Sequence, residues 1–137
     1  MSYCLSNDLI VIADDVPLMA ELVQYNIDLA GFKNTLVFND PQVCLDQIQK
    51  GIRPSVLISD YQMPHMKGTE LLGNVIHLLP DCTGIIMTSN PRSIRSKKLP
   101  YPVLKKGGDD FFSELVGILC EVFGVQSRYC DWRAVSI

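Results

Sequence analysis

The stretch that decides the fold runs from Leu57 to Leu71 and reads "LISDYQMPHMKGTEL". An apolar run leads up to a single carboxylate, Asp60, and a turn-forming segment with Pro64 and Gly68 follows it. Aspartate is common in turns, so this acid alone does not distinguish an ordinary strand end from a functional group. The residues at the ends of the other apolar runs decide between the two.

Short apolar runs alternate with segments of helical period along most of the chain. The runs are continuously apolar, which is typical of strands covered on both faces. They are Leu9 to Asp15, Thr35 to Phe38, Ser55 to Asp60, Gly84 to Ser89 and Tyr101 to Leu104. Helices are predicted at Pro17 to Ala30, Pro41 to Lys50, Gly68 to Leu79 and Asp109 to Phe123. This alternation predicts an α/β fold, a doubly wound five-stranded parallel sheet with helices on both faces, of the flavodoxin-like type.

The helical period also assigns the buried faces. The first helix is expected to bury Leu18, Met19, Leu22, Val23, Ile27 and Ala30, and the last to bury Phe111, Phe112, Leu115, Leu119 and Val122. Between the fourth and fifth strands, Pro91, Pro100 and Pro102 leave only residues 92–99 free for a helix. That helix is expected to be short or irregular and weakly anchored, and its basic side chains indicate either a solvated loop or a surface that contacts a partner.

Composition excludes several classes of protein. The 137 residues are 47% hydrophobic and 20% charged, which is typical of one globular domain. A net charge of −3 gives no indication of nucleic-acid binding. The five cysteines form no CxxC or Cys/His cluster, so free thiols in the cytoplasm are expected. There is no signal-peptide pattern and no apolar run of the ~18 residues that a membrane span needs.

Charged and hydroxyl side chains stand at the carboxyl ends of the predicted strands. Asp14 and Asp15 follow the first strand and Asp60 the third, while Thr88 ends the fourth, and Lys105 and Lys106 follow the fifth. In a parallel sheet these ends meet in one crevice. Three carboxylates at such short distances repel one another, and a divalent cation bound among them removes the repulsion. Hard oxygen ligands favour Mg²⁺, and the hydroxyl and ammonium groups suit a phosphoryl group.

The motifs "IADD", "LISDYQMPHMKG", "IIMTSN" and "VLKKGG", in this order, resemble the response-regulator receiver domain of two-component signalling. Each motif alone is weak, but together they cover roughly residues 8 to 123. The resemblance implies that Asp60 accepts a phosphoryl group from a phosphohistidine of a sensor histidine kinase or a histidine phosphotransfer protein. It also implies Mg²⁺ held by Asp14, Asp15, Asp60 and the backbone carbonyl of Gln62, with Thr88 and a lysine at the phosphoryl group.

The resemblance further implies a stand-alone receiver over residues 1–123, with a short tail over 124–137 and no output domain. Such a protein signals by contact with an unknown downstream protein and is more a phosphoacceptor than an enzyme. No partner is expected among nucleic acids or membranes. The pathway, the cognate kinase and the oligomeric state do not follow from the sequence.

The fifth strand departs from the family pattern. The family shows Lys-Pro there, with an aromatic residue three positions before the lysine. Lys106 is preferred over Lys105, because Leu104 stands two positions before it. Gly107 then takes the proline position and Val103 the aromatic position, with Tyr101 two residues further back. Coupling between Thr88 and an aromatic switch residue is therefore in question.

Other function classes share parts of this pattern. Haloacid dehalogenase-like phosphatases also use a strand-end aspartate, but they need a second aspartate two residues later, where this chain has Gln62. A pseudo-receiver that binds a partner without being phosphorylated fits the altered fifth strand. An FMN-binding flavodoxin is disfavoured by the acidic first loop, "DDVPLM". His65 and His77 have no ligand partners at metal-binding spacing, so both are interpreted as surface or packing residues.

Overall fold

The computed structural model describes residues 8–94 and 99–125. Five parallel strands form one sheet in the order β2-β1-β3-β4-β5. The strands are β1 (Ile10–Ala13), β2 (Thr35–Phe38), β3 (Val56–Asp60), β4 (Thr83–Thr88) and β5 (Val103–Lys105). This is the flavodoxin-like order, so the predicted sheet is confirmed. All residues of β1 and β3 are buried, as the continuous apolar runs predict.

Four α-helices cover the two faces of the sheet. They are α1 (Pro17–Leu29), α2 (Pro41–Gln49), α3 (Gly68–Leu78) and α4 (Phe111–Phe123). One core cluster joins α1 and α4 to one face, and a second joins α2 and α3 to the other. The first cluster contains Phe32 and the second contains Tyr61 and Met63, so both layers continue into the loops. The predicted placement of helices on both faces is confirmed.

Local chemistry fixes where the helices begin and end. Asp40 caps α2 by accepting hydrogen bonds from the backbone N–H groups of Gln42 (2.8 Å) and Val43 (3.4 Å). At the end of α4, Gly124 adopts φ +63°, a left-handed conformation in which a side chain would be strained. The predicted bounds of all four helices agree with the observed ones to within two residues.

Three of the apolar side chains expected in the core are exposed. Leu18 and Leu22 on α1 are 76% and 45% exposed, and Val122 on α4 is 37% exposed. The helix α1 turns Val23 and Ile27 toward the sheet, as predicted, together with Ala20, which was not predicted. The error has a simple cause, because α1 carries apolar residues on more than one face and the period alone does not say which face packs.

The connection between β4 and β5 begins with a single 3₁₀ turn at Pro91–Ser93. Ile94 follows it and is only 1% exposed, within the core cluster beneath α2 and α3. The expected short, irregular helix agrees with this turn, but the expected weak anchoring is wrong at Ile94. Burial of such a side chain is worth about 1.5–3 kcal/mol. Residues 95–98, which carry much of the predicted basic surface, lie outside the described part.

Two further expectations concern the cysteines and the termini. Cys44 and Cys82 are free and buried, as expected, but Cys120 takes part in a disulfide, so the prediction that all five are free thiols is wrong for that residue. The predicted tail over 124–137 stays a prediction, because residues 126–137 lie outside the described part. Within residues 8–94 and 99–125, no helix combines the length and apolarity that crossing a membrane requires.

Candidate functional site

Three carboxylates meet at the carboxyl edge of the sheet. Asp14 directly follows β1, Asp15 comes next, and Asp60 is the last residue of β3. One oxygen from each side chain lies within 4.8 Å of the other two. Asp14 is fully buried, Asp60 is 7% exposed and Asp15 is half-buried. The parallel pairing of β1 with β3, which sets Ala13 opposite Ser59, brings these strand ends together.

Backbone and side-chain hydrogen bonds hold Asp14 in place. Its backbone N–H donates to the carbonyl of Phe38 at 3.1 Å, which extends the pairing of β1 with β2. Its carbonyl accepts a hydrogen bond from the amide nitrogen of Asn39 at 2.8 Å. Its carboxylate accepts one from the backbone N–H of Val16 at 3.0 Å, just before α1 begins. Asp14 thus helps to start α1 and also faces the acid cluster.

The loop after β3 is fitted closely around Asp60. The backbone N–H of Gly68, at the start of α3, donates to the carbonyl of Tyr61 at 2.9 Å. A Cβ atom at Gly68 would collide with the carbonyl oxygen of Asp60. The hydroxyl of Ser59 donates to that same oxygen at 2.9 Å. The glycine in the quoted motif is therefore required by a close backbone approach, which goes beyond the turn geometry predicted for it.

Lys106 bridges two of the three acids. Its ammonium nitrogen lies 3.1 Å from Oδ2 of Asp14 and 3.2 Å from Oδ1 of Asp60. Its backbone N–H donates to the carbonyl of Thr88 at 2.8 Å, which continues the pairing of β4 with β5. Successive residues of an extended chain point to opposite sides, so Lys105 points away from the cluster. Lys105 is exposed and lines a cavity of about 420 Å³ with residues 89–92.

The environment of Asp60 disfavours its charged form. Burial raises the pKa of its carboxyl above the usual value, and the negative charges of Asp14 and Asp15 raise it further. The ammonium of Lys106 acts in the opposite direction through its charge and its hydrogen bond, but the net pKa shift is upward. One lysine therefore does not neutralise the cluster, and a further cation would stabilise the carboxylate form.

The remaining predicted site residues, Thr88 and Gln62, lie at the end of β4 and in the loop after β3. Thr88 ends β4 and is 4% exposed, and its hydroxyl oxygen accepts a hydrogen bond from the backbone N–H of Asn90 at 3.2 Å. Gln62 lies in the loop after β3 with an exposed side chain. His65, in the same loop, adopts φ +71°. Both His65 and His77 are exposed, in agreement with the surface positions expected for them.

Two supporting residues were not predicted from the sequence. The side chain of Asn39 donates to the carbonyl of Asp14, while its neighbour Asp40 caps α2. Ser59 was interpreted only as part of a strand, although its hydroxyl contacts the carbonyl of Asp60. Asn39 offered a weak signal, since a polar residue directly after β2 lies at the same edge as the acids. Ser59 offered none, because a small residue is unremarkable in a buried strand.

The donor set fits a small divalent cation. Three carboxylates with oxygens within 4.8 Å of one another supply hard oxygen ligands and excess negative charge. Burial, with a smaller contribution from the neighbouring carboxylates, raises the pKa of Asp60, so its charged form is not fully compensated by Lys106. Mg²⁺ keeps several of its own waters, so a partly open cluster with few protein ligands suits it. The residues present therefore fit Mg²⁺.

Comparison with known proteins points to one family. The family model of the response regulator receiver domain matches residues 10–113. No curated protein matches the chain significantly. Among solved structures, a two component transcriptional regulator AraC from Clostridium phytofermentans is 28% identical, with a TM-score of 0.73 over 86% of this chain and 93% of the matched chain.

Two further solved structures share the fold at lower identity. The response regulator protein TrrA from Thermotoga maritima, in complex with Mg²⁺-BeF, is 22% identical with a TM-score of 0.72 over 84% of this chain and 98% of its own. The chemotaxis response regulator CheY4 of Vibrio cholerae is 22% identical, with a TM-score of 0.70 over the same shares. Since the family model covers well over half of the 137 residues, the chain belongs to the response regulator receiver domain family of two-component signalling.

Proposed function

We propose that this receiver accepts a phosphoryl group on Asp60 from a phosphohistidine of a sensor histidine kinase or a histidine phosphotransfer protein. The transfer depends on Mg²⁺, and the phosphorylated domain signals by contact with a downstream protein. The proposal places the protein in the cytoplasm, with neither nucleic acid nor membrane as a partner. The domain assists its own phosphorylation and dephosphorylation and has no separate substrate.

The ion pairs of Lys106 are the observation that carries the proposal. Its ammonium nitrogen lies within 3.2 Å of oxygens of both Asp14 and Asp60, two of the three acids in the cluster. A structural salt bridge needs one lysine and one acid, whereas here one cation faces two buried carboxylates and a third beside them. Such an arrangement leaves Asp60 in an unfavourable charge environment, which is common at functional sites.

The transfer forms one bond and breaks one. A carboxylate oxygen of Asp60 attacks the phosphorus, the bond from phosphorus to the histidine nitrogen breaks, and that nitrogen keeps the electron pair. Lys106 is placed to stabilise the negative charge on the phosphoryl oxygens, because it already contacts Asp60. The hydroxyl proton of Thr88 is available to a phosphoryl oxygen, since the hydroxyl oxygen acts as the acceptor toward Asn90.

Asp14, Asp15 and Asp60 would hold Mg²⁺, with the backbone carbonyl of Gln62 as a further ligand from the loop. When bound, Mg²⁺ supplies positive charge to the oxygens of the group in transfer. Asp15 is the more exposed of the two acids after β1, whereas Asp14 already accepts hydrogen bonds from Val16 and Lys106. We therefore assign Asp15 the more direct contact with the metal.

A pseudo-receiver that binds its partner without phosphorylation is the alternative. Val103 at the aromatic position, Gly107 at the proline position and the single 3₁₀ turn after β4 favour it. These features lie in the part of a receiver that transmits a signal, whereas the groups that perform the transfer are all present. A phosphatase of the haloacid dehalogenase type is less favoured, because Gln62 cannot act as its general acid and base.

Intact-mass measurement after exposure to acetyl phosphate tests the proposal. With Mg²⁺ the wild-type chain should gain one phosphoryl group, and with excess EDTA it should gain none. The Asp60→Asn variant should gain none, while Asp81→Asn, an exposed acid outside the cluster, should match the wild type. Uptake by Asp60→Asn at the wild-type rate, or no uptake by the wild type, would overturn the assignment.

A further inference from the structure

The two peptide units that flank Asp15 are held by different partners. On its amino side, the backbone carbonyl of Asp14 accepts a hydrogen bond from the side-chain amide of Asn39 at 2.8 Å. On its carboxyl side, the backbone N–H of Val16 donates to Oδ1 of Asp14 at 3.0 Å. Because the planes of these two units define the backbone dihedral angles of Asp15, the two hydrogen bonds fix the direction in which its side chain leaves the backbone.

Asp15 depends on this backbone support more than the other two acids of the cluster do. The ammonium of Lys106 contacts the carboxylates of both Asp14 and Asp60. Within residues 8–94 and 99–125, by contrast, no hydrogen bond or ion pair reaches the carboxylate of Asp15, which is half-buried. The backbone is therefore what directs the acid to which we assign the most direct contact with the metal.

The strand β2 brings Asn39 to this position. It pairs in parallel with β1 and sets Phe38 opposite Ala13, so the residues that follow the two strands lie at the same edge of the sheet. The carbonyl of Phe38 accepts the backbone N–H of Asp14 at 3.1 Å, and Asn39 then contacts the carbonyl of the same residue. Asn39 is exposed, and the capping of α2 does not require it, because Asp40 performs that role.

We propose that Asn39 is a positioning residue for the metal site: its amide holds the carbonyl of Asp14 so that the carboxylate of Asp15 points into the acid cluster. The inference rests on the proposed function, in which Asp15 contacts Mg²⁺ most directly. Partners that orient metal ligands typically change metal affinity by about 10–100-fold when they are removed. Asn39 acts through the backbone, so the lower end of that range, about tenfold, is expected for its loss.

The chain offers a matched hydrogen bond for comparison. Asn74 on α3 donates from its side-chain amide to the backbone carbonyl of Glu70 at 3.0 Å, and like Asn39 it is exposed. Asn39→Ala and Asn74→Ala therefore each remove one amide-to-carbonyl hydrogen bond from the surface without opening a buried cavity. Only Asn39→Ala removes a hydrogen bond to the backbone of the acid cluster, so the two variants separate a specific effect on the metal from a general loss of contacts.

Thermal melting of the full chain in EDTA and in rising MgCl₂ tests the proposal. A ligand that binds only the folded state raises the melting temperature with its concentration, so the series gives the Mg²⁺ dissociation constant without any phosphorylation. Asn74→Ala should match the wild type, whereas the dissociation constant of Asn39→Ala should be about tenfold higher. With acetyl phosphate, Asn39→Ala should need about tenfold more Mg²⁺ for its half-maximal rate, yet reach within about twofold of the wild-type rate at saturation.

Three results would overturn the role given to Asn39 and leave the proposed function intact. Asn39→Ala could lower only the melting temperature in EDTA and bind Mg²⁺ as the wild type does, which would make its hydrogen bond purely structural. Asn74→Ala could weaken Mg²⁺ binding equally. Asn39→Ala could also slow phosphorylation at saturating Mg²⁺ with no change in the Mg²⁺ requirement. If MgCl₂ did not stabilise even the wild type, the metal site of the proposed function would be wrong, and this inference with it.

Discussion

The acid cluster and the connection between β4 and β5 lie at the same edge of the sheet but are built in different ways. The functional groups of the cluster stand at or just after the ends of strands, and their positions are fixed by parallel pairing with the neighbours. In the connection, one 3₁₀ turn at Pro91–Ser93 and the buried Ile94 provide the described structure. The difference shows that strand pairing can place reactive groups accurately even where a neighbouring connection has little regular secondary structure.

Neutralising Lys106 should give the largest effect on the cluster. Lys106→Met removes the cation that faces Asp14 and Asp60, and we expect phosphorylation by acetyl phosphate to slow by about 10²-fold, the usual effect of losing one such stabilising group. Lys105→Met is the matched control, since Lys105 points away from the cluster, and it should stay within about twofold of the wild type. If both substitutions slowed phosphorylation equally, the pairing of β5 with β4 would not determine which lysine acts at the acid cluster.

The close approach of α3 to Asp60 predicts a large effect on stability. Gly68→Ala would place a methyl group against the carbonyl of Asp60 and should lower the free energy of unfolding by about 1–3 kcal/mol. Gly73→Ala, in the same helix with open space around it, should raise that free energy by about 0.5–1 kcal/mol. Urea unfolding curves measure both. A neutral Gly68→Ala would show that the loop, and with it Asp60, is less tightly fixed than described.

The raised pKa of Asp60 predicts a pH-dependent change in stability. Without metal, the folded state holds the proton of Asp60 to higher pH than the unfolded state, whose pKa is near 3.8. Asp60 therefore costs stability progressively as pH rises from about 3.8 through its folded pKa. Asp60→Asn should melt higher than the wild type at pH 7, and the difference should disappear as pH falls below that window. If the variant melted at a lower temperature than the wild type at pH 7 in EDTA, the site could not disfavour the charged form of Asp60 as described.

The smallest expected effect is a change in hydrogen exchange in the connection between β4 and β5. It tests whether this connection responds to events at the acid cluster. Beryllofluoride binding at Asp60 should change hydrogen exchange of amides in residues 89–94 through Thr88, whose backbone and hydroxyl contact Lys106 and Asn90. Amides of α2, which packs mainly against β2 and α3, serve as the internal control. If residues 89–94 show no change while Asp60 is fully occupied, the signal leaves the domain by another face.

Much of the fold and the cluster could be predicted because both depend on the same feature, buried strands that end on polar residues. The position of Asp60 follows from the apolar run before it, and the preference for Lys106 over Lys105 agrees with the observed ion pairs. The exposure of Leu18 and Leu22 could not be predicted, since it depends on which face of α1 meets the sheet. The burial of Ile94 could not be predicted either, because it depends on how an irregular connection packs. The contact of Asn39 with Asp14 joins two loops, and no local pattern encodes such a contact.

The most direct test of the central claim is to locate the phosphoryl group. Borohydride reduces an aspartyl phosphate to homoserine, so treatment after incubation with acetyl phosphate and Mg²⁺ marks the acceptor for peptide mass spectrometry. The proposed chemistry predicts homoserine at position 60, and none when Mg²⁺ is withheld. Homoserine at Asp14 or Asp15 instead, or at no aspartate in a sample whose intact mass shows a phosphoryl group, would contradict the assignment of Asp60 as the acceptor.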